Sequence, residues 1–320
     1  MSHNITVEGG KSVRLLAAGK YCDRDIVVTA EGGGYAPVVE KDVNFYDYDG
    51  TLLYSYTIEE AQALTELPPA PTPPKDFLEF QEWNWTLAQI KDYNDPVQVG
   101  AIYKPVDDKT RVVIQIDEDW QKEVVIRYKQ WGVSVTVDWG DGSAAEENEE
   151  VDSSGGIACT ANHTYAEKGT YVITLEASGT WDLGHATAAT PFFGNLTTEN
   201  GSVALREVYV GGKARLLSYA FYKARKLEVA TLSTSQTRIY PYAFRDSSIK
   251  AIVVPSTLTS IDYAAFYYAK KLNVCSFSPS VESINTDQFT LCIVEVPAAS
   301  LDAYKNATNY GTIATQMVGV

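Results

Sequence analysis

The sequence predicts a mainly β protein: small N-terminal β modules, a β-sandwich in the middle and a solenoid of short repeats at the C-terminus. Three observations carry this expectation. Leu205, Leu227, Ile249, Leu272 and Ile293 each open a short apolar stretch, at spacings of 22, 22, 23 and 21 residues. Upstream of them, apolar runs of strand length alternate with turn-forming residues. No long amphipathic helical pattern occurs anywhere. A unit of about 22 residues cannot bury its own apolar face, so neighbours must stack and share a core.

The elements follow in chain order. Residues 5–7, 13–16 and 26–29 read as strands separated by Gly9-Gly10 and Gly19-Lys20, and Gly32-Gly33-Gly34 as a joint. Residues 43–48 and 52–56 flank Asp49-Gly50, a hairpin signal. Thr57 followed by Glu60 has the form of a capping box opening a short helix through Leu64. Residues 68–74, PPAPTPP, predict a stiff polyproline spacer. An aromatic-rich stretch from Phe77 to Tyr103 contains a helix over 86–93. Strands are expected at 112–116, 124–128, 133–139 and 171–177, followed by a Gly-, Thr- and Ala-rich junction at 180–204. The resulting division is 1–34, a small β module; 35–74, a hairpin–helix module with its linker; 75–108, a connecting segment; 109–180, the sandwich; and 181–320, the repeats with their linker and cap.

Within the repeats, Leu217, Ile239, Ile261 and Ile284 recur, as do Phe221, Phe244, Phe266 and Phe289. The two positions after each Phe vary freely: Tyr222-Lys223, Arg245-Asp246, Tyr267-Tyr268, Thr290-Leu291. Variation beside a fixed frame marks exposed positions. Tyr222, Arg245, Tyr267 and Tyr268 are therefore the candidate binding residues, because Tyr and Arg carry contact energy at interfaces.

Composition limits the partners. A formal net charge of −15 argues against nucleic acid and against anionic membrane surfaces. The four cysteines include no Cys-x-x-Cys pair and only three His are present, so no zinc site is expected. The N-terminus MSHNITVEGG lacks the features of a signal peptide, and no apolar run reaches membrane-spanning length, so no membrane insertion is expected.

Three stretches resemble known families. Val137-Asp138-Trp139-Gly140-Asp141-Gly142-Ser143, His163-Thr164-Tyr165 and Gly169-Thr170-Tyr171-Val172 together resemble a polycystic-kidney-disease (PKD) repeat, which implies an immunoglobulin-like sandwich acting as a spacer. Residues 203–310 resemble BspA-like leucine-rich repeats, with residues 296–305 similar to the segment that ends such arrays. That resemblance implies adhesion at a bacterial or viral surface. Residues 18–30 and 43–51 resemble modules of phage structural proteins.

Sharper chemical readings give way to simpler ones. Asp47-Tyr48-Asp49-Gly50-Thr51 matches the nucleophile motif of haloacid-dehalogenase-like phosphatases. That chemistry requires an α/β core, whereas here a proline-rich segment and β modules follow, so the hairpin reading is preferred. Gly10-Lys11-Ser12 lacks the earlier glycine of a P-loop. The acidic stretch at 146–152 lacks calcium-loop spacing and reads as a solvated loop. His163 reads as structural, and Trp83 and Trp85 as packing residues rather than sugar platforms.

The expectation is a non-catalytic structural or appendage protein of a phage virion, head or tail, with no cofactor and no metal. Its N-terminal region would hold other virion proteins, its C-terminal repeats a host surface glycan or protein, and the protein would form homo-oligomers. Localisation would be the virion, assembled in the host cytoplasm. A bacterial cell-surface adhesin is the alternative, and a phosphatase the distant one.

Overall fold

The computed structural model describes residues 41–148, 156–188, 190–194, 204–272 and 274–277, a few single residues beyond, and two short strands near the C-terminus. The module expected at 1–34 and the fourth repeated Phe, Phe289, lie outside the described residues. What is described is mainly β.

β1 (Val43–Tyr46) and β2 (Leu52–Tyr56) form the expected hairpin, with Gly50 at φ 89° supplying the turn that a side chain would strain. α1 (Ile58–Gln62) carries the Thr57–Glu60 capping box. β3 (Leu78–Trp83), α2 (Leu87–Asp92) and β4 (Val97–Pro105) follow, and a second capping box at Thr86 and Gln89 starts α2. The sheet order is β2-β1-β4-β3, with β1 and β4 parallel and therefore joined by a crossover.

Two sequence expectations change here. Residues 75–108 do not connect modules; they supply β3, α2 and β4 to the same sheet as the hairpin. The proline segment does not stand off as a spacer either. Trp83 Nε1 donates to Pro68 O at 3.0 Å and the Tyr54 hydroxyl to Pro69 O at 3.5 Å, which draws the segment back over the sheet. Beneath it Trp83 packs edge-on against Phe45 at 5.0 Å and Phe80 at 5.5 Å.

The middle of the chain builds two sheets around one core. The strands are β5 (Thr110–Ile116), β6 (Glu123–Gln130), β7 (Val135–Asp138), β8 (Glu146–Asn148), β9 (Ile157–Thr164), β10 (Gly169–Ala177), β11 (Trp181–Leu183) and β12 (Phe193–Gly194). Inward positions of β5, β6, β7 and β10 (Ile114, Ile126, Val137 and Leu175) are fully buried and belong to one hydrophobic cluster with Trp139. The Tyr165 hydroxyl donates to Trp139 O at 2.7 Å and locks the strand ends together.

The repeats supply β13 (Leu205–Tyr209), β14 (Ala214–Leu216), β15 (Val229–Thr231), β16 (Arg238–Ile239), β17 (Ala251–Val253), β18 (Ser260–Ile261) and β19 (Val274–Ser276). Beyond them β20 (Val294–Val296) pairs in parallel with β21 (Met317–Gly319). Parallel pairing also joins β13 to β15, β16 to β18 and β17 to β19. No break separates the repeats from the middle of the chain at 180/181. β13 pairs antiparallel with β5, and β14 pairs parallel with β11, so the repeats extend both central sheets. The stretch 180–204, expected as a junction, instead provides β11 and β12.

The N-terminal sheet lies against the flank formed by β13, β15, β17 and β19. Tyr48 meets Tyr209 at 6.4 Å, Phe77 packs on Tyr209 at 5.3 Å, and Lys75 pairs with Glu207 at 2.9 Å. Trp85 Nε1 donates to Phe277 O at 2.8 Å, and Cys275 N donates to the Gln98 side chain at 2.9 Å. This sheet is part of the body of the protein rather than a separable module.

Candidate recognition surface

Each described repeat carries a turn built on the same backbone plan. Tyr219, Tyr242 and Ala264 have positive φ, and four residues later so do Lys223, Asp246 and Tyr268. Left-handed backbone costs a non-glycine residue of the order of 1–2 kcal/mol, so the fold must impose it. It does so with hydrogen bonds between repeats. Tyr219, Phe221 and Lys223 N–H groups donate to Pro241, Ala243 and Arg245 carbonyls at 3.2, 2.7 and 2.9 Å. Tyr242, Phe244 and Asp246 donate to Tyr263, Ala265 and Tyr267 at 3.4, 2.8 and 2.9 Å. The intervening residues bond within their own turn, as Tyr222 N does to Tyr219 O at 3.1 Å.

This ladder sorts the side chains. Phe221, Phe244 and Phe266 point inward and stack at 5.2 and 5.3 Å, with Phe192 continuing the column at 6.1 Å. Burial of each such ring stabilises by about 1.5–3 kcal/mol.

The other side of the ladder carries a second column. The Arg245 guanidinium lies 5.7 Å from the Tyr222 ring, 5.5 Å from Tyr242 and 4.9 Å from Tyr267. Tyr267 in turn meets Tyr268 edge-on at 4.6 Å, and Lys270 sits over Tyr268 at 5.2 Å. The structure thus brings Tyr222, Arg245, Tyr267 and Tyr268 into one contiguous group spanning three repeats. Arg245 Nε approaches Asp246 at only 3.4 Å, so rings rather than carboxylates form most of its surroundings.

Sequence reasoning missed three members of this surface. Tyr219 and Tyr242 stack at 4.8 Å and 19°, and Tyr263, 54% exposed, meets Tyr242 edge-on at 5.6 Å. A signal was present: Tyr precedes Ala-Phe at Tyr219 and Tyr242, and Tyr263 opens the equivalent Tyr-Ala-Ala-Phe.

The other sequence candidates fall elsewhere. Asp47 closes the β1–β2 hairpin, its carbonyl accepting from Gly50 N at 3.0 Å and its carboxylate from Tyr48 N at 2.8 Å. Burial raises the Asp47 pKa. His163 Nε2 lies 2.7 Å from the Asp141 carboxylate, and its ring stacks on Trp139 at 4.9 Å. Trp83 and Trp85 are buried in the N-terminal core. A cleft of about 330 Å³ beside β5 and β13 is lined by Arg206, Glu207 and Glu228, each paired: Arg206 with Asp117, Glu207 with Lys75 and Glu228 with Lys250. Among the described residues no helix is long and apolar enough to cross a membrane, and no group of three or more His, Cys, Asp or Glu could hold a metal.

No curated protein and no solved structure matches the chain. Residues 214–301, which include the turn ladder and its outer column, match in six copies the family model for the BspA type leucine-rich repeat region.

Proposed function

We propose that the protein is a non-catalytic, surface-displayed adhesion protein that holds a host glycan or surface protein through the outer column of its repeats. The observation that carries this reading is Arg245 set among Tyr222, Tyr242 and Tyr267, side chains drawn from three successive turns. Tyrosine and arginine offer large contact area with little entropy lost on ordering, and here their neighbours already order them. The N-terminal sheet lies against the flank formed by β13, β15, β17 and β19, and among the described residues Tyr222, Arg245, Tyr267 and Tyr268 on the turn ladder remain half-buried. The leucine-rich repeat match supports a surface role.

The setting we favour is a bacterial surface adhesin, because the family match bears on that reading. A phage virion appendage, head or tail, rests on the resemblance of residues 18–30 and 43–51 to phage structural modules. In that case the N-terminal region would hold other virion proteins and the PKD-like sandwich would act as a spacer. In either setting several copies would act together.

The test replaces Tyr222, Arg245, Tyr267 and Tyr268 with Ala, alongside the single change Arg245→Lys, which keeps the charge and loses the planar fork. Each variant is assayed for host-cell binding and thermal melting. Binding lost by the quadruple variant and weakened by Arg245→Lys, with unchanged melting, supports the reading; unchanged binding overturns it. Surface labelling of intact cells against purified particles distinguishes the two settings.

A further inference from the structure

On the exposed side of the sheet that joins the middle of the chain to the repeats, Lys129, Asp182 and Arg215 are direct cross-strand partners on β6, β11 and β14. Direct partners project from the same side of a sheet. Trp131, two residues beyond Lys129, reaches back over this row. Its Nε1 donates to Asp182 Oδ2 at 2.6 Å, and Arg215 Nε donates to Asp182 Oδ1 at 2.7 Å. Asp182 is completely buried, while Trp131 stays 37% exposed and the Arg215 side chain 46% exposed. The Lys129 ammonium lies 4.3 Å from the Trp131 ring centre, and the Arg215 guanidinium 5.7 Å from it.

One buried carboxylate therefore orients an exposed indole and an exposed guanidinium. Asp182 takes only Nε of Arg215 and leaves the terminal nitrogens without a hydrogen-bond partner among the described residues; Lys129 has no carboxylate partner among them either. The group holds two cations against one covered anion, in a chain with 41 acidic and 26 basic residues. A local positive excess on an acidic protein, beside a ring, complements an anion that carries a stackable face.

We propose that Trp131, Lys129 and Arg215 form a second binding site, separate from the tyrosine column, for the uronic-acid units of an acidic polysaccharide. The C–H face of a pyranose ring covers the face of the indole opposite the Lys129 ammonium. Its carboxylate accepts two parallel hydrogen bonds from the terminal nitrogens of Arg215, and Lys129 supplies the second charge.

The experiment titrates the full chain with oligogalacturonate by calorimetry at about 0.15 M salt, using its methyl ester and dextran sulfate as comparisons. The expected result is binding of the acid form, weakening of about tenfold or more for the ester and for Lys129→Ser, and an unchanged melting temperature. The Tyr222, Arg245, Tyr267 and Tyr268 variant should bind oligogalacturonate as the wild type does, which separates this site from the adhesion column. Several results overturn the proposal: no binding by the wild type, equal binding of acid and ester, or indifference to Lys129→Ser. Equal, Lys129-independent binding of dextran sulfate reduces the effect to general polyanion attraction. Binding that arises only after Glu149→Gln, Glu150→Gln and Asp152→Asn assigns the cations to the chain's own acidic stretch instead.

Discussion

Asn84 and Ser276 lie 192 residues apart in sequence and bond directly: the buried Asn84 amide donates to Ser276 Oγ at 3.0 Å and to Ser276 O at 3.2 Å. The same amide donates to Val254 O at 3.0 Å, and its oxygen accepts from Gly100 N at 2.8 Å. One side chain thus satisfies backbone groups in two repeats and in the N-terminal sheet, where water cannot reach.

Asn84→Leu removes all of these hydrogen bonds while keeping the branching of the side chain. Each buried polar group left unpaired costs about 1–3 kcal/mol, so the variant should lose about 3 kcal/mol or more in urea unfolding. A loss within about 0.5 kcal/mol, typical of a neutral surface change, would mean that the N-terminal sheet is not held by this contact.

That docking could not be read from the sequence, whereas the repeat could. Leu205, Leu227, Ile249 and Leu272 announce themselves by spacing, because stacking requires the same residue type at the same place in each unit. Asn84, Gln98 and Gly100 have no period, and nothing local says that their partners are Ser276, Cys275 and Val253. The aromatic content of residues 77–103 signalled a core without saying whose core it was. Strand partnership was equally hidden, since β13 carries the pattern of a repeat yet pairs with β5. The positive-φ positions escaped notice because Tyr219, Lys223 and Tyr242 occupy them in place of glycine. At the candidate surface, variable positions after each Phe led to Tyr222, Arg245, Tyr267 and Tyr268, while their grouping around one guanidinium came only from the inter-repeat ladder.

Gly100 tests the fit of the same interface. A Cβ built there would lie 2.2 Å from Val253 Cγ1 and 2.9 Å from Ser276 Oγ. Gly100→Ala should therefore destabilise by about 1–3 kcal/mol. Val253→Ala removes the clashing methyls, so the double variant should lose less than the sum of the two single losses. Strict additivity in the double-mutant cycle would show that the interface opens rather than clashes.

The left-handed turns make a prediction of opposite sign. Lys223 holds φ at 58° while its N–H donates to Arg245 O, a bond that glycine would keep. Lys223→Gly should stabilise by about 0.5–1 kcal/mol, and Lys223→Val should destabilise by at least about 1 kcal/mol because a branched Cβ resists this backbone. Urea midpoints of the two variants decide it. If both changes destabilise equally, the lysine chain over the Tyr222 ring matters more than the backbone.

The Asp141 turn sets an acid limit on the middle of the chain. Hydrogen bonds from the Ser143 hydroxyl and N–H, with His163 at 2.7 Å, hold the Asp141 pKa down to about 2 from its ordinary 3.8. A carboxyl whose folded pKa is depressed contributes stability above its unfolded pKa and loses it as pH falls toward the folded value. The melting temperature of the wild type should therefore drop as pH falls from about 4 to about 2. Asp141→Asn cannot titrate, so it should start lower near neutral pH and fall less over that window. Because other carboxylates titrate in the same range, the informative quantity is the difference between the two curves. A difference that shrinks with acid places the acid-sensitive contact at Asp141, and parallel curves would mean that its bonds to Ser143 and His163 add nothing to folding.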